Sequence, residues 1–147
     1  MLTIFESILL GHLVGDYVFQ NSWMAQRKGS FLLPCVVHCL IYTLCLCVSV
    51  SKGFNFYWAL VVFVSHFPVD RYSLADKWLK LIEGRTLAGF LNYGHKNIPA
   101  SIKGNHIGNY RILRGGFTSL VYCIVDNTFH LLLMLSGYKL LVKLGLM

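Results

Sequence analysis

Apolar residues run along this chain in long blocks, and four of these approach the length of a bilayer crossing. A helix needs about 20 mostly apolar residues to cross about 30 Å of hydrocarbon. The first block runs from Leu2 to Met24, interrupted by Glu6, His12 and Asp16. The second, Phe31 to Val50, carries no charged residue. The third, Phe54 to Asp70, is shorter, and the fourth runs from Phe117 to Leu141. Polar turns separate them at Gln26-Arg27-Lys28-Gly29-Ser30 and at Ser51-Lys52-Gly53. The pattern predicts an all-α polytopic membrane protein: a four-helix transmembrane bundle with spans at about 2–24, 31–50, 54–70 and 117–141.

Before the last span lies a polar stretch, 71–116. Its first part, Ser73 to Glu83, predicts a short helix with Leu74, Trp78, Leu81 and Ile82 on one face, suited to lying in the membrane interface. Ser73-Leu74-Ala75-Asp76 resembles a capping pattern at its start. From Gly84 to Gly116 glycine, asparagine and charge predict a loop. No internal repeat is present, and the 147 residues fit one domain, 1–147.

Composition sharpens this picture. Hydrophobic residues make up 56% and charged residues 13%, against about 45–50% and about 25% in soluble domains. The net charge of +7 has a membrane reading. Arg27 and Lys28 lie in the first polar turn and most of the remaining basic residues in the last, so loops 25–30 and 71–116 are expected on the cytoplasmic side, with both termini outward. Nucleic-acid binding is not expected, because no compact basic stripe with interleaved aromatics occurs. The first block has no basic residue ahead of it and is read as a retained helix, not a signal peptide. Trp23, Met24, Tyr72 and Trp78 read as interface anchors. The five cysteines, Cys35, Cys39, Cys45, Cys47 and Cys123, contain no C-x-x-C pair and read as free thiols.

Candidate chemistry lies inside the apolar blocks. His12 and Asp16 stand four apart in the first, His66 and Asp70 in the third, Asp126 and His130 in the fourth, and His38 sits in the second. Residues four apart on a helix share a face, with Cβ atoms about 5–6 Å apart. Depth is a second test. Counting at about 1.5 Å per residue puts Asp16, His38 and Asp126 about 10–14 Å in from the same membrane face, with His66 and Asp70 nearer that face. A carboxylate near the bilayer centre costs about 2.5–3.5 kcal/mol on insertion scales. One His–Asp pair reads as a hydrogen bond that neutralises a buried group. Three pairs plus His38 point to a divalent metal, because imidazole and carboxylate ligate one together. A proton relay or a structural polar network is the other reading. The expected ligands are His12, Asp16, His38, His66, Asp70, Asp126 and His130, with zinc first and manganese or iron as alternatives.

Other residues carry less. Gln20 continues the His12–Asp16 face and is a candidate substrate contact, as are Arg111 and Arg114. Tyr42, four after His38, is placed to donate a hydrogen bond into the site, with an aromatic filling the core as the stronger reading. His95 and His106 read as solvated, and Glu6 receives no role.

Gly11-His12-Leu13-Val14-Gly15-Asp16-Tyr17-Val18-Phe19-Gln20 resembles the G-H-x-x-x-D-Y-x-x-Q signature of a small bacterial and phage family of integral membrane proteins that carries a domain-of-unknown-function label. His38, His66-Phe67-Pro68-Val69-Asp70 and Asp126-Asn127-Thr128-Phe129-His130 resemble its later motifs. The resemblance implies a location in the bacterial inner membrane or a phage-encoded equivalent. A more distant similarity, to membrane-bound metal-dependent hydrolases, implies hydrolysis.

Together these features give an expected function: a metal-dependent hydrolase acting on a lipid-borne or membrane-proximal phosphoester, with Asp16, His66 and Asp126 in catalysis. Seven candidate ligands exceed the four of a closed zinc site, so a two-metal site, or one metal with an Asp as general base, suits the surplus. Two alternatives are a non-catalytic proton- or metal-conducting protein and a di-iron oxidase. The latter is disfavoured because no pair contains the Glu of the known di-iron bundles. The oligomeric state stays open.

Overall fold

The structure, a computed structural model, describes residues 2–50, 54–84 and 106–147, the side chains of Glu83 and 106–115 excepted. Every element among the described residues is helical: α1 (Ile4–Leu13), a π-helical turn (Val14–Val18), α2 (Ser22–Arg27), α3 (Leu32–Val50), α4 (Phe56–Arg71), α5 (Leu74–Glu83) and α6 (His106–Lys143). The chain packs as two compact units: 1–73 with 128–147, and 74–127.

The first unit holds α1 to α4 and the end of α6. Thr3 caps α1: its Oγ1 accepts from the Glu6 backbone N–H at 3.3 Å, and the Thr3 N–H donates to Glu6 Oε2 at 2.7 Å. This reciprocal capping box gives Glu6 the role that the sequence analysis left blank. The first expected span, 2–24, is not one helix. After α1 the backbone widens into the π turn, closed by the Phe19 N–H donating to the Val14 carbonyl at 3.0 Å. A new helix then starts at Asn21, whose side chain accepts from the Met24 N–H at 3.0 Å. A side chain that caps a fresh N-terminus ends the preceding element as surely as it starts the next.

Two glycines bring α1 and the π turn against α3. A Cβ on Gly11 would collide with Ser49 Oγ and stand 3.2 Å from the Leu46 Cα. One on Gly15 would meet Tyr42 Cδ2 at 2.8 Å and the Tyr42 Cα at 3.2 Å. This is the small-xxx-small packing that lets backbones approach closely, and the residue after each glycine is His12 or Asp16.

Along α3 the buried positions recur every four residues as Cys35, Cys39, Thr43 and Cys47, alternating with Pro34, His38, Tyr42 and Leu46 one step earlier. Leu33, Leu40, Leu44 and Val48 are exposed on its other side. Ile8, Tyr42, Leu46, Cys47, Trp58, Val62, Met134 and Leu141 form the apolar core. At the end away from the histidines, Asn55 Nδ2 donates to the Leu146 carbonyl at 2.8 Å and fastens the last residues. None of the five cysteines forms a disulfide.

The second unit contains α5 and the first part of α6. In α5, Ala75 and Leu79 are buried, while Trp78, Leu81 and Ile82 are exposed. The last helix begins at His106, eleven residues before the expected Phe117. The glycines and charges of that stretch predict a loop, but an interior glycine costs only about 1 kcal/mol, so a long helix carries them. The rest of the expected loop, His95 included, lies outside the described residues.

Two helical segments, Leu32–Val50 and Gly116–Lys143, are long and apolar enough to cross a membrane. The other two expected spans are shorter. The α1–π segment has ten α-helical and five π-helical residues, and α4 has sixteen, or about 22–24 Å each at helical rise.

The close approach at Gly15 yields a direct test. Gly15→Ala should lower stability by about 1–3 kcal/mol, the usual cost of overpacking. Gly116→Ala, where a Cβ meets nothing within 4 Å, should be neutral or stabilising by up to about 1 kcal/mol. Thermal unfolding in detergent measures both.

Candidate metal centre

Four elements deliver the polar side chains of the first unit to one place. The π turn carries Asp16 at its middle, one turn after His12. α3 presents His38 and Tyr42 from its buried stripe. α4 presents His66 and Asp70, with Pro68 between them. α6 contributes His130. All four of these histidines have no exposed surface, and Asp70 is 4% exposed.

His38 Nε2 is the hub. It lies 3.0 Å from Asp16 Oδ1, 3.0 Å from Asp70 Oδ2 and 3.0 Å from His66 Nε2. His66 Nε2 is 3.1 Å from Asp70 Oδ2 and 3.8 Å from Asp16 Oδ1. His130 Nε2 is 3.5 Å from Asp70 Oδ1, and its ring centroid is 4.2 Å from that of His66.

An imidazole Nε2 carries at most one proton, which it directs to one acceptor. Here two Nε2 atoms face each other and share carboxylate oxygens, so the acceptors outnumber the protons available. Asp16 Oδ1, Asp70 Oδ2 and His66 Nδ1 are buried without a hydrogen bond of adequate geometry, despite the short distances at the two oxygens. A buried acceptor without a partner costs about 1–3 kcal/mol, and more if charged.

This donor set fits a divalent ion. Ligand atoms held at about 2.0–2.2 Å from one ion stand about 3.0–3.5 Å from each other, close to the spacing seen. Within the first unit, two groups of three bring their ligand atoms within 4.8 Å of one another: Asp16, His66 and His130, and His38, His66 and Asp70. They share His66. Imidazole and carboxylate together suit zinc, manganese or iron.

Other residues surround the ligands. His12 Nδ1 is hydrogen-bonded with the Tyr42 hydroxyl at 2.9 Å and lies 3.2 Å from Asp16 Oδ2. His12 therefore stands behind Asp16 as an orienting partner and belongs to neither triad. The Tyr42 ring stacks on His66 at 3.6 Å, so one aromatic positions two histidines. Gln20 Nε2 is 3.2 Å from both ring nitrogens of His38. Lys28 Nζ is 2.9 Å from Asp70 Oδ2.

Of the sequence-predicted ligands, His12, Asp16, His38, His66, Asp70 and His130 meet in this unit. Asp126 stands one turn before His130 on α6 but belongs to the other unit. Arg111 and Arg114 fall in the early part of α6, and their side chains lie outside the described residues. Tyr42 fills the core, as expected, and its hydroxyl also reaches the cluster, as its position four after His38 allows. Lys28 is the addition: it stands in a polar turn, and nothing in its local sequence points inward.

The Tyr42 contact generates a prediction. Tyr42→Phe keeps the ring and removes the hydroxyl, so stability should fall by about 0.5–1.5 kcal/mol, the net value of one hydrogen bond. Denaturant unfolding in detergent measures it, and an unchanged midpoint would mean that the hydroxyl does not hold His12.

Searches of curated proteins and of solved structures found no match. A family described as a protein of unknown function, DUF3307, matches residues 4–146. That match covers nearly the whole chain, with every residue of the cluster inside it, and the chain belongs to this family.

Proposed function

We propose that this protein is a membrane-embedded, metal-dependent hydrolase acting on a lipid-borne or membrane-proximal phosphoester. The observation that carries the reading is the buried convergence of Asp16, His38, His66, Asp70 and His130, with Asp16 Oδ1, Asp70 Oδ2 and His66 Nδ1 lacking a well-formed hydrogen bond, beneath an exposed apolar surface.

The exterior supports a four-span arrangement. Leu10, Leu13 and Val18 on the first segment, Leu40, Leu44 and Val48 on α3, Leu60 and Val64 on α4, and Leu132 and Leu140 on α6 are all exposed. Water would penalise such a surface and hydrocarbon would not. The two short segments cross a bilayer that thins locally around them. The turn at 25–30, with Arg27 and Lys28, then faces the cytoplasm, and the exposed stripe of α5 rests in the interface.

Within this reading the side chains divide the work. Asp16 and Asp70 supply the carboxylates that hold the ion, and His66 is shared between the two triads. His12 and Tyr42 fix the orientation of Asp16 and His66, the supporting role that such partners play around metal ligands. A divalent ion held there supplies polarisation of a phosphoryl oxygen and acidification of a water molecule. Were the ion held instead by His38, His66 and Asp70, Asp16, with Oδ2 beside His12 and Oδ1 turned to the cluster, would be left as a general base. Asp126 is the second candidate base, one turn before His130. Gln20 at the rim, and Arg111 and Arg114, are candidates for contact with substrate.

Conduction of protons or metal ions is the weaker reading. It needs polar groups through the whole thickness, whereas Ile8, Leu46, Trp58, Val62, Met134 and Leu141 pack together as an apolar core.

The test is hydrolysis of lipid phosphoesters in mixed micelles by the full-length protein with added zinc or manganese. His66→Ala and chelator treatment should each abolish turnover. Asp16→Asn should lower it by about 10²–10⁴-fold, the range for a lost proton-transfer group. Equal rates for wild type and His66→Ala would end the hydrolase reading.

A further inference from the structure

Lys28 contacts the oxygen that a metal ion would claim. Its Nζ lies 2.9 Å from Asp70 Oδ2, and that atom is also 3.0 Å from His38 Nε2 and 3.1 Å from His66 Nε2. The ammonium therefore takes the cationic place beside Asp70. The two partners differ in access: the Asp70 side chain is 1% exposed and that of Lys28 is 17% exposed. Lys28 enters from the rim, while Asp70 is fixed inside.

The backbone around Lys28 is held independently of its ammonium. The Lys28 N–H donates to the Met24 carbonyl at 2.9 Å, and the Phe31 N–H donates to that of Arg27 at 2.8 Å. The Arg71 guanidinium, next in sequence to Asp70, donates to the Gly29 carbonyl. The turn thus stays docked on the end of α4 if the side chain leaves. A lysine stem is a flexible four-carbon tether. A divalent ion on Asp70 Oδ2 would repel an ammonium at the same oxygen, and the 17% exposure of the Lys28 side chain gives it one side open to solvent.

We propose that Lys28 is an exchangeable cation. It neutralises Asp70 until a divalent ion replaces it, and the displaced ammonium then binds the phosphoryl group of the substrate at the mouth of the site. This rests on the metal-dependent phosphoester reading and adds to it a substrate-binding residue and an order of events: metal first, anion second. An ammonium is a compact point charge that serves as a phosphate binder, and beside a divalent ion it favours an anion over a neutral ligand.

The experiment uses the full-length protein in detergent, with two measurements on each variant. Zinc affinity is measured by competition with a chromophoric chelator. Inorganic phosphate affinity is measured calorimetrically on zinc-loaded protein freed of excess ion. Lys28→Met should bind zinc as tightly as wild type or tighter, because a competitor is gone. Its zinc-loaded form should bind phosphate at least about tenfold more weakly, as expected on losing one partner of a close charge pair. Lys28→Arg should retain phosphate binding and shows that the turn tolerates substitution. Weaker zinc binding by Lys28→Met, or unchanged phosphate affinity, overturns the assignment. The two readings fail separately. Wild-type protein that takes up no zinc removes both, whereas wild type that binds zinc and phosphate, matched by Lys28→Met, removes only the role of Lys28.

Discussion

The arrangement depends on one constraint: imidazole nitrogens and carboxylate oxygens from four segments converge with too few protons to satisfy them. His38 Nε2 meets three acceptor-capable atoms at 3.0 Å, and a single N–H cannot serve all three. In water the mismatch would be absorbed by solvent. In a low-dielectric interior it makes each unpaired group costly, and a cation is the simplest remedy. Lys28 supplies one positive charge from the rim, and a divalent ion in its place would supply two.

The rest of the first unit serves to hold that convergence. Gly11 and Gly15 let the first segment lie against α3, and the next residue after each is a cluster member. The fourfold stripe of α3 aims His38 and Tyr42 inward while Leu40, Leu44 and Val48 face out. Tyr42 then ties the pieces together, bonding His12 with its hydroxyl and stacking on His66 with its ring. Asn55 fastens the chain end to the start of α4 and Trp58 fills the core, so the histidines rest on a packed apolar base.

Much of this was legible in sequence. The i,i+4 spacing of His and Asp, and their matched depth in four apolar blocks, pointed to residues that six of the seven positions bring together in one unit. Spacing worked because helix geometry is rigid and because ionisable groups are rare in apolar blocks. What escaped depends on contacts between elements. Lys28 approaches Asp70 only because the turn docks on α4. The π turn and the break before Asn21 reflect a cap that an apolar block obscures. The early start of α6 reflects a long helix that absorbs its glycines. Glu6 was legible in principle, since Thr3-x-x-Glu6 is a capping pattern, but hydrophobicity dominated the reading of that segment.

The most direct measurement is the metal content of full-length protein purified in mild detergent without chelators, compared with Asp16→Ala. A cation-demanding cluster predicts at least one tightly held divalent ion per wild-type chain, and a clear loss in Asp16→Ala. Wild-type protein that stays folded and emerges with only trace metal, and that takes none up on dialysis against zinc or manganese, would contradict the account.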